Sequence, residues 1–300
     1  MAVRIQKSEL VDLLRLTQRT QTINGKTNSH VTACMLETTG RSNGRLSSCC
    51  VVKDGVSSLA RFTKDVESKS NNNYQFFCIP NIEAFLGVLK YHGQFVRLER
   101  EGEKITVISG NKQTTVQASE NALASQTMRM TIQEATTVAN NLAKKIEPLT
   151  GNYTQDSGKV NEPLISFYEV DSTDLFEAFR MDSMNNHKSG KFTIKINTRA
   201  INNKAILSVQ TGSETKGLNE VEIMQQDISK QVYPAHKPYI QNITAVFEGG
   251  LDHIFKIWNT PVNLHFLNWA SDNQGIKMVI DLGNDDFIFQ SSLTSRGHDS

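Results

Sequence analysis

Two short sentences of sequence are each written twice in this chain. Ser8-Glu9-Leu10-Val11-Asp12-Leu13-Leu14-Arg15 returns as Thr173-Asp174-Leu175-Phe176-Glu177-Ala178-Phe179-Arg180: hydroxyl, acid, Leu, apolar, acid, apolar, apolar, Arg. Ile82-Glu83-Ala84-Phe85-Leu86-Gly87-Val88-Leu89-Lys90 returns as Leu251-Asp252-His253-Ile254-Phe255-Lys256-Ile257-Trp258-Asn259. The offsets are 165 residues (8 to 173) and 169 residues (82 to 251). An offset near half of a 300-residue chain points to one unit present twice, and that length can bury two ordinary cores.

The segment from Ser8 to about Thr20 reads as an amphipathic helix. Leu10, Val11, Leu13, Leu14 and Thr17 share one side, and Ser8, Asp12, Arg15 and Arg19 share the other. Asn81 is placed to cap a helix over 82–92, after a strand stopped by Pro80. Asp171 and Asp174 open a helix over 171–184, and 251–259 is the fourth, stopped by Pro261. Strands are expected at 30–36, 45–53, 57–62, 74–79, 94–99, 104–109 and 113–118 in the first half. In the second half they are expected at 164–170, 191–197, 205–210, 221–225, 243–248, 262–269, 276–282 and 287–292. The fold class is therefore α+β, with few helices and many strands. The expected divisions are 1–120, an elaborated connector at 121–162 and 163–300. A capping box at Thr131-Ile132-Gln133-Glu134 predicts a helix in the connector, ended by Pro148.

Chemistry-bearing motifs are missing from the sequence. No phosphate loop, GxSxG or HExxH occurs, and no cofactor or metal is expected. Cys34, Cys49, Cys50 and Cys78 lack zinc spacing and read as reduced strand residues. Asp285-Asp286 sits in a turn, where solvated charge is the default over a Mg²⁺ site. No apolar run spans a bilayer, and Met1-Ala2-Val3-Arg4-Ile5 lacks a signal-peptide core. The expected location is the cytoplasm, or the nucleus of a host that has one.

Net charge is +1, too small to coat nucleic acid through bulk charge. The distribution is uneven, because residues 1–53 carry eight Lys/Arg against three acids. Arg15 and Arg180 hold the same place in paired helices, and Lys90 and Lys256 lie on the polar sides of the other two. Arg19, Lys7 and Lys188 flank helix ends. Long basic residues commonly do no more than solvate a helix face. If the four helices share one face, however, each presents a base to one surface that suits phosphates without reading sequence.

At these residues the chain resembles a known family, the sliding clamps that tether DNA polymerases, in their two-domain form from eukaryotes, archaea and T4-like phages. Ile79 to Leu89 resembles a phage-clamp helix with a similar Phe-Leu-Gly. Leu251–Leu264, with its Asn259-Thr260-Pro261-Val262 exit, resembles the last helix and following strand of proliferating cell nuclear antigen, and Ile276–Leu293 resembles its final hairpin. The resemblance implies two tandem clamp-type domains, each a duplicated β-α-β unit with two helices on antiparallel sheets. It further implies a homotrimeric ring around double-stranded DNA, a DNA polymerase and a clamp loader as partners, and no enzymatic activity. Carried over by position, the DNA-facing residues are Lys7, Arg15, Arg19, Lys90, Arg180, Lys188 and Lys256. Ring closure falls on Gln113–Ala118 and Ala205–Gln210. A partner-peptide groove falls on Phe287, Phe289 and Leu293, residues that read equally well as core. The connector is longer than the family's. The alternative is a non-enzymatic structural or assembly protein built from a duplicated α+β domain.

Overall fold

The computed structural model describes residues 2–18, 20–23, 26–29, 34–39, 43–51, 58–68, 74–118, 152–154, 161–184, 191–199, 204–213, 217–227, 243–268, 276–284 and 286–292. The first half runs β1 (Ala2–Gln6), α1 (Lys7–Thr17), β2 (Thr20–Ile23), β3 (Lys26–Ser29), β4 (Cys34–Thr39), β5 (Asn43–Val51), β6 (Ser58–Ser68), β7 (Tyr74–Ile79), α2 (Ile82–Leu89), β8 (Phe95–Glu101), β9 (Lys104–Ser109) and β10 (Lys112–Gln117). After β11 (Asn152–Thr154) the second half runs β12 (Asn161–Val170), α3 (Ser172–Met184), β13 (Lys191–Arg199), β14 (Lys204–Ser213), β15 (Gly217–Asp227), β16 (Ile243–Glu248), α4 (Asp252–Ile257), β17 (Val262–Asn268), β18 (Ile276–Gly283) and β19 (Asp286–Ser291). The helix expected within the connector lies outside the described residues.

Local chemistry explains the helices. In α2, Ile82, Phe85 and Leu89 fall at i, i+3 and i+7 and are buried, each contributing roughly 1.5–3 kcal/mol relative to exposure. The Asn81 side chain accepts the Ala84 N–H at 2.9 Å, which is the expected cap. The Asp171 carboxylate accepts the Thr173 N–H at 2.8 Å and starts α3. Helix α1 has no side-chain cap. Its first N–H, from Lys7, instead reaches the Gln94 carbonyl at 2.7 Å, so the helix start is tied to the chain entering β8.

The duplication extends to six ladders in each half. β4 pairs with β5 and β7, and β5 with β6. β13 pairs likewise with β14 and β16, and β14 with β15. The run β1·β8, β8·β9, β9·β10 is repeated as β12·β17, β17·β18, β18·β19. All are antiparallel. The hairpin β2–β3 belongs to the first half alone among the described residues.

Among the described residues one ladder joins the halves. β19 pairs with β6, setting Phe287 opposite Arg61 and Ile288 opposite Ala60. The result is a 13-stranded sheet crossing both halves beside a separate 4-stranded sheet. The helices therefore do not lie on one continuous sheet, since α1 packs on β5 and β6 and α3 on β14 and β15. A single apolar core nevertheless runs through both halves, from Leu13, Phe62 and Phe85 to Phe179, Ile254 and Phe266. Edge-to-face and stacked rings link Phe179 to Phe192 at 4.8 Å and to Phe255 at 5.6 Å, tying α3 to β13 and α4.

Two buried ionisable groups in the second half set opposing pH slopes. Burial pushes the Asp286 carboxyl up to about 6, against the pull of Thr63, Arg61 and Lys64. Burial drives the His265 imidazole down to about 4. Asp286 holds its proton where the unfolded chain has lost it, so its contribution falls as pH rises from 3.8 to about 6. His265 works the other way, losing stability as pH falls from 6.5 towards about 4. Replacing Asp286 with Asn removes one slope. The variant should match the parent near pH 4 and exceed it at pH 7 by about 1–3 kcal/mol, read by urea unfolding at stepped pH. A constant difference across pH would show that Asp286 is not the titrating group.

Candidate nucleic-acid interface

The four helices form a row. α1 packs against α2, and the Gln18 amide donates to the Glu83 carboxylate at 2.6 Å across that pair. α3 packs against α4 in the same way. Between the halves, the His253 Nε2–H on α4 reaches the Leu16 carbonyl at the end of α1 at 3.4 Å. The Trp258 ring after α4 lies 6.5 Å from Phe62. The order in space is thus α2, α1, α4, α3.

Each helix exposes one base. Arg15 is solvent-facing in the last turn of α1, and Lys90 is exposed at the C-cap of α2. Arg180 is exposed on α3 with its guanidinium 5.9 Å from the Phe176 ring. Lys256 is exposed in the last turn of α4. Arg15, Lys90 and Lys256 therefore meet the negative end of their helix dipole, which favours a cation there. Asp12, Glu83, Asp174 and Glu177 are exposed on the same helices. Asp12/Arg15 and Glu177/Arg180 stand three apart and partly neutralise each other. The face is therefore only weakly positive. At a slope near −0.9 per phosphate, four bases would give a salt dependence no steeper than about −4.

Lys7 does something different from what its sequence position implies. Its ammonium donates to the His92 carbonyl at 2.8 Å, pinning the turn after α2. Arg19 and Lys188 lie outside the described residues. Phe287 and Phe289 are buried core residues of β19, on the strand that seals the two halves. Neither ring lines an open groove, so the core reading replaces the peptide-groove reading at these two positions. Leu293 lies outside the described residues. Segment Ala205–Gln210 also needs correction as a closing edge. It belongs to β14, which is flanked by β13 and β15, and among the described residues the sheet edge is β15.

The turn after α2 is a site that sequence reasoning missed. His92 is buried, with Nδ1 against the Ser109 hydroxyl and Nε2 against the Thr114 hydroxyl, both at 3.0 Å. Burial lowers its pKa first, then the charges of Lys112 and Lys7, which favours the neutral ring. Among the described residues no group of three His, Cys, Asp or Glu side chains is placed to hold a metal ion. No described helix is long and apolar enough to cross a membrane.

No protein-family model matches the sequence, and no curated protein matches it. Solved structures do match. The Helicobacter pylori beta clamp bound to a DNA ligase peptide superposes with a TM-score of 0.55 at 14% identity, over 100% of this chain and 68% of that one. The Pseudomonas aeruginosa DNA polymerase sliding clamp gives 0.55 at 14%, over 98% and 67%. The C. crescentus beta sliding clamp gives 0.57 at 13%, over 98% and 66%. The chain thus spans about two thirds of the length of the bacterial clamps it resembles. With two matched halves, a row of four helices and this likeness along its whole length, the chain has the fold of the DNA polymerase sliding clamps.

Proposed function

We propose that this protein is a DNA sliding clamp, which closes head to tail into a homotrimeric ring around duplex DNA and tethers a DNA polymerase. One observation carries the reading: the repeat is joined in the middle and unfinished at its ends. β19 and β6 pair within the chain, whereas among the described residues their counterparts β10 and β15 end their sheets. Following the ladders through α2/α4, β7/β16 and β4/β13 places Leu218 at the position of Ala60. The hairpin turns place Thr114 at the position of Ile288. Ala60 is 3% exposed because β19 covers it, while Leu218 is 41% exposed. The helices repeat the contrast. Leu16 is 3% exposed beside α4, and Met181, at the same place in α3, is 36% exposed. A second copy supplying β10 and α2 covers both, with Gln113 opposite Asn219 and Thr114 opposite Leu218.

Three copies give six repeats about one axis and set every helix row towards the centre. The weakly basic face then suits sliding rather than gripping. Retention is topological, and phosphate contacts are few and wet. Partners follow from the fold likeness: a DNA polymerase, a clamp loader and other replication proteins, as the ligase peptide on the H. pylori clamp illustrates. The Phe85-Leu86-Gly87 likeness supports a phage or viral replisome, in the cytoplasm or nucleus where the host genome is copied. The near balance of charge on the helices favours the second reading, an assembly protein that never meets DNA.

Solution mass and DNA retention separate the two. The ring predicts three times the 33.5 kDa chain mass and, after enzymatic loading, retention on circular but not linear duplex. Equal loss from both, or a stable monomer at high concentration, refutes it. The double variant Arg15→Glu, Arg180→Glu should keep its circular dichroism spectrum. Its loading onto circular DNA should fall roughly 5- to 10-fold, with the salt slope of loading flatter by about 2. An unchanged slope removes these residues from the DNA face.

A further inference from the structure

We propose that the turn closing α2, Lys90-Tyr91-His92, is a docking point for single-stranded nucleic acid, with Tyr91 stacking on an unpaired base and lysines around it meeting the backbone phosphates. This goes beyond the duplex-encircling reading and does not require a ring. Tyr91 is 75% exposed, the highest value among the exposed large hydrophobic residues described. Its counterpart beside the seam within the chain, Thr260, is exposed, so by the repeat the head-to-tail register leaves this position open, unlike Leu218 and Met181. An exposed phenol fixed on a rigid turn costs little entropy to use, and this turn is tied down through its backbone. The Lys112 ammonium donates to the Tyr91 carbonyl at 3.0 Å and Lys7 to the His92 carbonyl at 2.8 Å. The Gly93 N–H donates to the Ser109 hydroxyl at 2.9 Å, while His92 is locked between Ser109 and Thr114.

Three lysines gather at this turn. Lys7 and Lys112 bond neutral carbonyls rather than carboxylates, so their charge is not cancelled, and Lys90 is exposed one residue before the ring. The sequence carries no acid between Glu83 and Glu99, nor between Glu103 and Glu120. The lowered pKa of His92, to which Lys112 and Lys7 contribute after burial, reports the same positive potential. A basic rim around an exposed aromatic face is the recognition logic of single strands, whose bases are free to stack. An intact duplex presents only phosphates here, because its base faces are covered by one another.

The test is fluorescence anisotropy of labelled oligothymidylate with the full chain, beside a blunt duplex of equal length. Wild type should favour the single strand, with a salt slope near −2 for three lysines. Tyr91→Ala should weaken oligothymidylate binding about tenfold with the slope unchanged, and Tyr91→Phe should restore it. Lys90→Gln should flatten the slope by about 0.7. Tyr91→Trp should show indole quenching on binding. Undiminished binding by Tyr91→Ala, or no quenching in Tyr91→Trp, overturns the proposal. A change of solution mass in Tyr91→Ala also overturns it, because the ring would then be a contact between copies. Loss of retention on circular duplex with oligothymidylate binding intact would count against the ring alone.

Discussion

Replacing Leu218 with Asp should turn the assembled protein into a monomer, with self-association weakened more than 100-fold. The argument starts from Ala60, which occupies the same ladder position in the first half and is covered by β19. If β10 of a second copy covers β15, a carboxylate at 218 is enclosed opposite Thr114 without a cation to pair with. Burying an unpaired charge costs several kcal/mol, and an inward charge on an edge strand is a common device for blocking strand addition. In a closed ring the penalty recurs at every junction. Leu218→Ala is the control, because it gives the second seam the residue that the first already uses, and assembly should persist. Met181→Asp should reproduce the loss through the helix layer. Sedimentation equilibrium reads all three. An unchanged mass for Leu218→Asp would rule out closure through β15, whatever the oligomeric state.

Replacing Phe287 with Ala should destabilise the fold by about 3–5 kcal/mol, lowering the melting temperature by roughly 10 °C. Phe287 is buried on β19, opposite Asp281 of β18 on one side and Arg61 of β6 on the other. Its loss opens a cavity in the β19·β6 ladder that joins the halves. That is a large share of the 5–15 kcal/mol typical of a domain, so the two halves should begin to melt separately. Calorimetry distinguishes this from a docking role. A groove residue would lose partner affinity and leave the transition unmoved, whereas a core residue shifts and broadens it. An unmoved transition would return Phe287 to the surface.

Helical features were the most legible in the sequence. The 3.6-residue period of Leu10, Leu13 and Leu14 marks a buried stripe and leaves Arg15 outward. Asn81 and Asp171 announce their helices because capping is satisfied within three residues. The hairpin β2–β3 has its signal in Asn24-Gly25, the strongest short turn dipeptide, between two four-residue strands too short and polar to alternate. The burial of β19 was not legible. Phe287, Ile288, Phe289 and Gln290 are all buried, so both faces of the strand are covered and no period-2 alternation remains to read.

By itself the sequence determined the duplication, the four helices and the outward side of each, because propensity, capping and periodicity act over a few residues. Tertiary structure alone decided which strands end their sheets and which close the seam. It also took Lys7 from the helix face and gave it to the His92 carbonyl 85 positions away. Antiparallel pairing of Arg61 with Phe287, and the helix-to-helix contact of His253 with the Leu16 carbonyl, join residues at separations that no local pattern encodes. Burial follows from the partner a strand finds, so Ala60 is covered while Leu218, in the same place in the repeat, waits for another chain.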